Sequence, residues 1–209
     1  MLKQLFLSLM LLTGLAAQAQ AAPVKPDVAL KETTEHMRSL ITQNHAAYEA
    51  DKNKFYEVVD EVLVPRFDVR YIAQLTLGKN WRSATEVQKK RFQAAFKNAL
   101  IRTYADALLA NYDTVEAMYE PLRMAPDATD VTVRASLMRK QGRPVSMAFA
   151  MREIDNDWKV YDVIIESLSL ITNFRSQFGS EIKKNGLEAL IAKMEAGNYF
   201  KQNPPKTSK

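Results

Sequence analysis

The hydrophobic pattern of this chain changes period twice. Over residues 28–45 apolar positions recur at helical spacing, with Met37, Leu40 and Ile41 at core positions and charges between them. Asp51 is placed to cap a second helix carrying Phe55, Val58, Val59, Val62 and Leu63, which Pro65 stops. A third helix is expected over 68–77, with Tyr71, Ile72 and Leu75 on one side and Gly78 as its stop. Ser83 or Thr85 then caps a long helix whose ladder Phe92, Phe96, Leu100, Tyr104, Leu108 advances in uniform steps of four. Such a stripe drifts slowly around a 3.6-residue turn and presents a broad apolar face.

The period then shortens to two. Segments 114–124, 129–140, 144–155 and 158–165 read as strands. Val131, Val133, Ala135 and Leu137 share one face of the second, and Val145, Met147, Phe149 and Met151 one face of the third. Gln141-Gly142-Arg143 and Asp155-Asn156-Asp157 are expected as tight turns, so the strands form an antiparallel meander of about four. Helical spacing returns over 168–178 and 186–194, and a polar tail fills 202–209. Helices, a strand run and helices again predict an α+β domain with its helices packed on one face of the sheet.

Residues 1–21 have the pattern of a secretory signal. Lys3 precedes an apolar run from Leu5 to Leu15, and Ala19-Gln20-Ala21 supplies a small-x-small cleavage site, with Ala17-Gln18-Ala19 as a second choice. Gln18 and Gln20 interrupt the run before it reaches the ~20 apolar residues of a membrane span. The expected product is an exported single domain over 22–201. It must hold together without disulfides, because the 209-residue chain has no Cys.

Composition narrows the chemistry. With no Cys and two His, thiol catalysis and Cys/His zinc sites drop out, and His36 and His45 are too far apart on one helix to act together. No nucleophile elbow, phosphate loop or zinc-protease motif is present, so neither a metal nor a cofactor is expected. Asp155, Asn156 and Asp157 lack the Gly and distal Glu of a calcium loop. Asp162 and Glu166 are the best acid–base pair on offer, and would serve a cone-shaped α+β enzyme acting on a small apolar substrate. A net charge of +5 invites an anionic partner, with Arg66, Arg70, Lys89, Lys90 and Arg91 as candidate steering groups. Export argues against nucleic acid. Nine Met, nine Phe and eight Tyr supply adaptable apolar surface. The helix stripe and the Met/Phe strand face either close into a solid core, as in an exported adaptor, or leave a cavity; periodicity favours the solid core.

A resemblance bears on that choice. Val64-Pro65-Arg66-Phe67-Asp68, Leu77-Gly78-Lys79-Asn80-Trp81-Arg82-Ser83-Ala84-Thr85 and the Phe92/Phe96 helix, followed by Trp158-Lys159-Val160-Tyr161-Asp162-Val163 and Glu166-Ser167-Leu168-Ser169-Leu170-Ile171, resemble the MlaC family of periplasmic phospholipid-binding proteins. Ser167 departs from the Gly expected there. The resemblance implies a periplasmic carrier that encloses acyl chains in an apolar cavity, and a monomer is expected because a shuttle gains nothing obvious from self-association. It further implies shuttling between an outer-membrane lipoprotein complex and an inner-membrane ATP-binding-cassette transporter, which maintains outer-membrane lipid asymmetry without catalytic residues. On that footing Phe96, Leu100, Tyr104 and Leu108 are expected to contact the tails from the long helix. Val133, Met147, Phe149 and Met151 would face them, and Leu168 and Ile171 would close the mouth.

Overall fold

Three helix starts are fixed by side chains that the sequence singles out. Asp51 accepts a hydrogen bond from the Asn53 amide at 3.1 Å, and Asp68 from the Tyr71 amide at 3.0 Å. Thr85 and Gln88 form a reciprocal capping box, their bonds 3.2 and 3.1 Å long. The computed structural model describes residues 24–197 and 199–202. The expected signal at 1–21 and tail residues 203–209 lie outside them. Helices α1 (Pro26–Ala50), α2 (Lys52–Val62), α3 (Val69–Leu77), α4 (Lys79–Ser83) and α5 (Glu86–Asn111) come first. Strands β1 (Val115–Tyr119), β2 (Asp130–Arg139), β3 (Val145–Ile154), β4 (Asp157–Ile165) and β5 (Leu168–Ser169) follow, then α6 (Leu170–Glu195) and the short α7 (Tyr199–Gln202). Among the described residues no helix is long and apolar enough to cross a membrane.

The sheet is an antiparallel meander in the order β1-β2-β3-β4-β5, one strand more than the pattern predicts. The extra strand comes from Glu166 and Ser167, whose φ values of 47° and 68° make a two-residue turn that sends Leu168 back against Ile165. Ser169 then caps α6, accepting from the Thr172 amide at 3.1 Å, so the helix starts two residues later than its apolar spacing suggests. Strand β1 is shorter than expected. Glu120 still donates its amide to the Arg134 carbonyl, but Pro121 has no amide to continue the ladder.

Register puts the predicted strand faces together. Val131 pairs with Met151, Val133 with Phe149, Ala135 with Met147 and Leu137 with Val145, so all eight side chains share one side of the sheet. Tyr119 and Ala117 of β1 join them opposite Ala135 and Leu137. On the other side, Thr132 and Arg134 of β2 and Glu116 and Met118 of β1 are exposed.

Three apolar clusters, not one, hold these elements. The first is aromatic: Phe92 and Phe96 of α5 pack with Phe174 and Phe178 of α6 and with Tyr199 and Phe200 of α7. The second joins Met37, Ile41 and Tyr48 of α1 to Phe55 and Val59 of α2 and to Ile101, Ala105 and Leu109 of α5. The third sets Leu30 of α1 against the sheet through Val131, Val133, Met151, Trp158 and Val160. Helices α5 and α1 therefore each serve two clusters.

Bends and clamps complete the frame. At Gly186 the backbone takes φ 82° and ψ 162°, a region essentially reserved for glycine, and α6 folds back on itself. Lys193 consequently forms an ion pair with Glu181, twelve residues away, a separation of about 18 Å in a straight helix. Two of the segments that carry the family resemblance clamp the helices to the sheet edge. Phe67 bridges Val160, and Arg66 donates to the Asp157 carboxylate at 2.6 Å and to the Trp158 carbonyl at 3.0 Å. Burial opposes ionisation of Asp157, but hydrogen bonds from Lys159 and Arg66 outweigh it and hold its carboxyl below the ordinary range.

Candidate functional site

A cleft of about 930 Å³ opens where the second and third clusters meet. Its walls come from the middle of α1, the C-terminal turns of α5, the edge strand β1 and its neighbour β2. Met37 and Ile41, on the buried face of α1, line it together with Leu108 of α5, Ala117 and Tyr119 of β1 and Leu137 of β2. Lys31, Glu35 and Arg38 of α1 and Arg139, Lys140 and Gln141 at the end of β2 also border it. One hydrogen bond ties α1 to β1 here: the Tyr119 hydroxyl lies 2.7 Å from that of Thr34. Thr34 already donates to the Leu30 carbonyl, so Tyr119 is the donor. Burial pushes the Tyr119 hydroxyl above its usual pKa.

The ten positions expected to touch a ligand fall into different surroundings. Leu108 lines the cleft. Tyr104, one turn back along α5, is half-buried; its hydroxyl is buried without a partner among the described residues, and burial pushes its pKa up to about 12. Phe149 is half-buried against the sheet cluster, its ring centroid 6.3 Å from that of Tyr119, and Met147 is half-buried on the same sheet face. Val133 and Met151 are fully buried within that cluster. Phe96 belongs to the aromatic cluster, with Phe174 and Phe178 each 5.2 Å away, and Leu100 packs at its edge. Ile171 is buried at the start of α6, whereas Leu168 on β5 is 45% exposed.

The wall residues on α1 were readable as apolar positions but not as a wall. Leu30, Thr34, Met37 and Ile41 follow steps of four, three and four, which define one face of a helix. Thr34 interrupts that face with a hydroxyl, and the interruption is the signal that it borders something other than a core.

Asp162 and Glu166 have structural partners. Asp162 accepts hydrogen bonds from the Ser169 hydroxyl at 2.5 Å and the Ile171 amide at 3.1 Å, which fasten β4 to the first turn of α6. Glu166 accepts from the Ser146 amide at 2.7 Å across the hairpin. Among the described residues, no group of three or more His, Cys, Asp and Glu side chains is placed to hold a metal ion. Arg66, Lys89 and Arg91 are engaged by Asp157, Glu86 and the pair Glu188 and Glu195, which leaves them poorly placed for steering.

A family model described as MlaC protein matches residues 31–196. The chain belongs to the MlaC family. Among MlaC relatives, the toluene tolerance protein Ttg2D of Pseudomonas putida is 29% identical over 179 residues, 85% of this chain and 82% of that protein. The intermembrane phospholipid transport system binding protein MlaC of Haemophilus influenzae is 25% identical over 192 residues, 90% and 89% of the two chains. A phospholipid-binding protein from Ralstonia solanacearum, solved in complex with a phospholipid, is 32% identical. It superposes with a TM-score of 0.76 over 84% of this chain and 97% of that one. The fold is thus shared with a phospholipid-binding protein solved in complex with a phospholipid.

Proposed function

We propose that this protein is a periplasmic phospholipid carrier, holding acyl chains in the cleft between α1, α5 and the sheet while the headgroup stays at the mouth. The observation that carries this reading is the cleft itself, apolar in its depth and lying at a seam between two cores. The lipid-bound Ralstonia structure supports it by its shared fold. Exposing a methylene to water costs about 0.8 kcal/mol, so two ordinary chains cost on the order of 20 kcal/mol in free solution. A carrier need only offer a dry apolar site. Bilayer and cleft are then nearly equal solvents, the transfer is close to neutral, and direction is imposed by an energy-coupled partner. In this reading the lipid moves between an outer-membrane lipoprotein complex and an inner-membrane ATP-binding-cassette transporter, and the carrier, a monomer, performs no covalent chemistry.

Tails entering beside Leu108 and Leu137 run along Met37 and Ile41, with Tyr104, Met147 and Phe149 as the continuation. Val133 and Met151, buried in the sheet cluster, back the wall, while Phe96, Leu100 and Ile171 lie away from it. Organic extraction of freshly purified protein followed by mass spectrometry tests the reading: phospholipid at about one per chain is expected, and an empty extract overturns it. Leu137→Glu, a charge on the wall outside the three buried clusters, should leave a folded protein without lipid. Replacing Asp162 and Glu166 with their amides should leave the lipid in place.

A further inference from the structure

The cleft has a mouth with its own chemistry. Four cations border it: Lys31 and Arg38 on α1, Arg139 and Lys140 at the end of β2. Lys31 lies 3.8 Å from Glu35, an exposed pair. Among the described residues, Arg38, Arg139 and Lys140 have no carboxylate within ion-pairing range, although Arg66, Arg91, Lys97 and Lys159 elsewhere all do. Glu116 also lines the cleft, without coming within ion-pairing range of any of the three. Arg139 lies opposite Val115, on the side of the sheet that carries Ala117 and Leu137. Glu116, the next residue along β1, and Lys140, whose amide bonds to the Thr114 carbonyl, share the opposite parity, and both still line the cleft at the sheet edge. With Glu35 and Glu116 as the carboxylates on the lining, the four cations leave the mouth an excess of positive charge beside an apolar interior.

We propose that Arg38, Arg139 and Lys140 form a headgroup rim that binds the phosphate of the carried lipid and favours phospholipids of net negative charge over zwitterionic ones. This rests on the carrier reading above. A phosphodiester accepts charge-assisted hydrogen bonds from guanidinium and ammonium groups. In a phosphatidylglycerol headgroup nothing offsets that attraction, whereas the ammonium of phosphatidylethanolamine meets three like charges. Lateral selection then comes from the rim while the tails, common to both lipids, set the overall affinity.

The test loads delipidated protein from vesicles with equal amounts of phosphatidylglycerol and phosphatidylethanolamine, re-isolates it and quantifies the bound lipids. Wild type should be enriched in phosphatidylglycerol by roughly three- to tenfold, the worth of one or two solvent-screened ion pairs. Arg139→Gln with Lys140→Gln should bring the ratio close to that of the vesicle, with total lipid per chain unchanged, and Arg38→Gln should move it part of the way. Arg134→Gln removes the same charge from the opposite side of β2 and should keep the wild-type ratio. Equal composition in wild type, or a preference that survives the double variant, overturns the rim while leaving the carrier reading intact. Loss of loading rate from anionic vesicles with unchanged bound composition also overturns it, because the cations would then act at the membrane surface. Wild type that takes up no lipid refutes the carrier reading itself.

Discussion

Ser167 sits with φ 68° in a turn whose preceding residue, Glu166, also has positive φ. The second hairpin turn of this kind uses Asp155 and Asn156, residue types that tolerate the left-handed region, but a serine there keeps its Cβ against the backbone. Ser167 is exposed, so replacing it removes no packing. Ser167→Gly should therefore stabilise the protein by about 0.5–1 kcal/mol, after the greater entropy of glycine in the unfolded chain is offset. Urea denaturation checks it, and a lower midpoint would show that the turn is not strained. Local chemistry of this kind was legible in the chain: Asp51 caps the helix it was expected to cap, and of Ser83 and Thr85 it is Thr85 that caps α5, whereas Asp68, read as the first residue of its helix, is in fact its cap. The pairing of charges was not. Arg91 meets Glu188 and Glu195 about a hundred positions away, and nothing local distinguishes it from the unpaired Arg139.

At the scale of elements, periodicity told which residues turn inward but not which interior they enter. The five-residue stripe of α5 has one uniform step, yet Phe92 and Phe96 enter the aromatic cluster, Leu100 borders it, and Leu108 reaches the cleft. The division arises because α6 and α7 cover only the first half of α5, and that covering depends on the bend at Gly186, which the spacing reads merely as a gap between two helices. The two ends of the stripe should respond differently to mutation. Phe96 is 1% exposed and touches four other phenylalanine rings, so Phe96→Ala should cost about 3–5 kcal/mol. The fraction that remains folded should still carry lipid at the wild-type ratio. Denaturant titration together with lipid counting on the folded fraction separates this outcome from that of a wall residue, where lipid is lost first. A folded Phe96→Ala protein stripped of lipid would put the tails in the aromatic cluster instead of the cleft.

The whole molecule is several interiors joined by shared helices, and this explains both the cleft and the limits of reading it from sequence. A continuous core would have closed over the stripe, which is what apolar spacing alone favours; three clusters leave a seam, and the seam follows from tertiary arrangement. Helix α1 spans it, with Leu30 in the sheet cluster and Met37 and Ile41 in the helical one. Beside the cleft the Thr34–Tyr119 hydrogen bond links α1 to β1, while the Arg66–Asp157 and Phe67–Val160 contacts hold the two clusters together farther away. A bound tail would touch both sides and link them, so loading should act as a folding ligand. At a free concentration a hundred times the dissociation constant, linkage predicts about 2.7 kcal/mol of added stability. The gain should be concentrated at the seam: hydrogen exchange in the middle of α1 and in β1 should slow on loading, while amides of α6 in the aromatic cluster change little. Comparing delipidated and reloaded protein by thermal unfolding and exchange tests both parts. Equal melting temperatures, or protection spread evenly over all three clusters, would mean that the ligand does not bridge the seam.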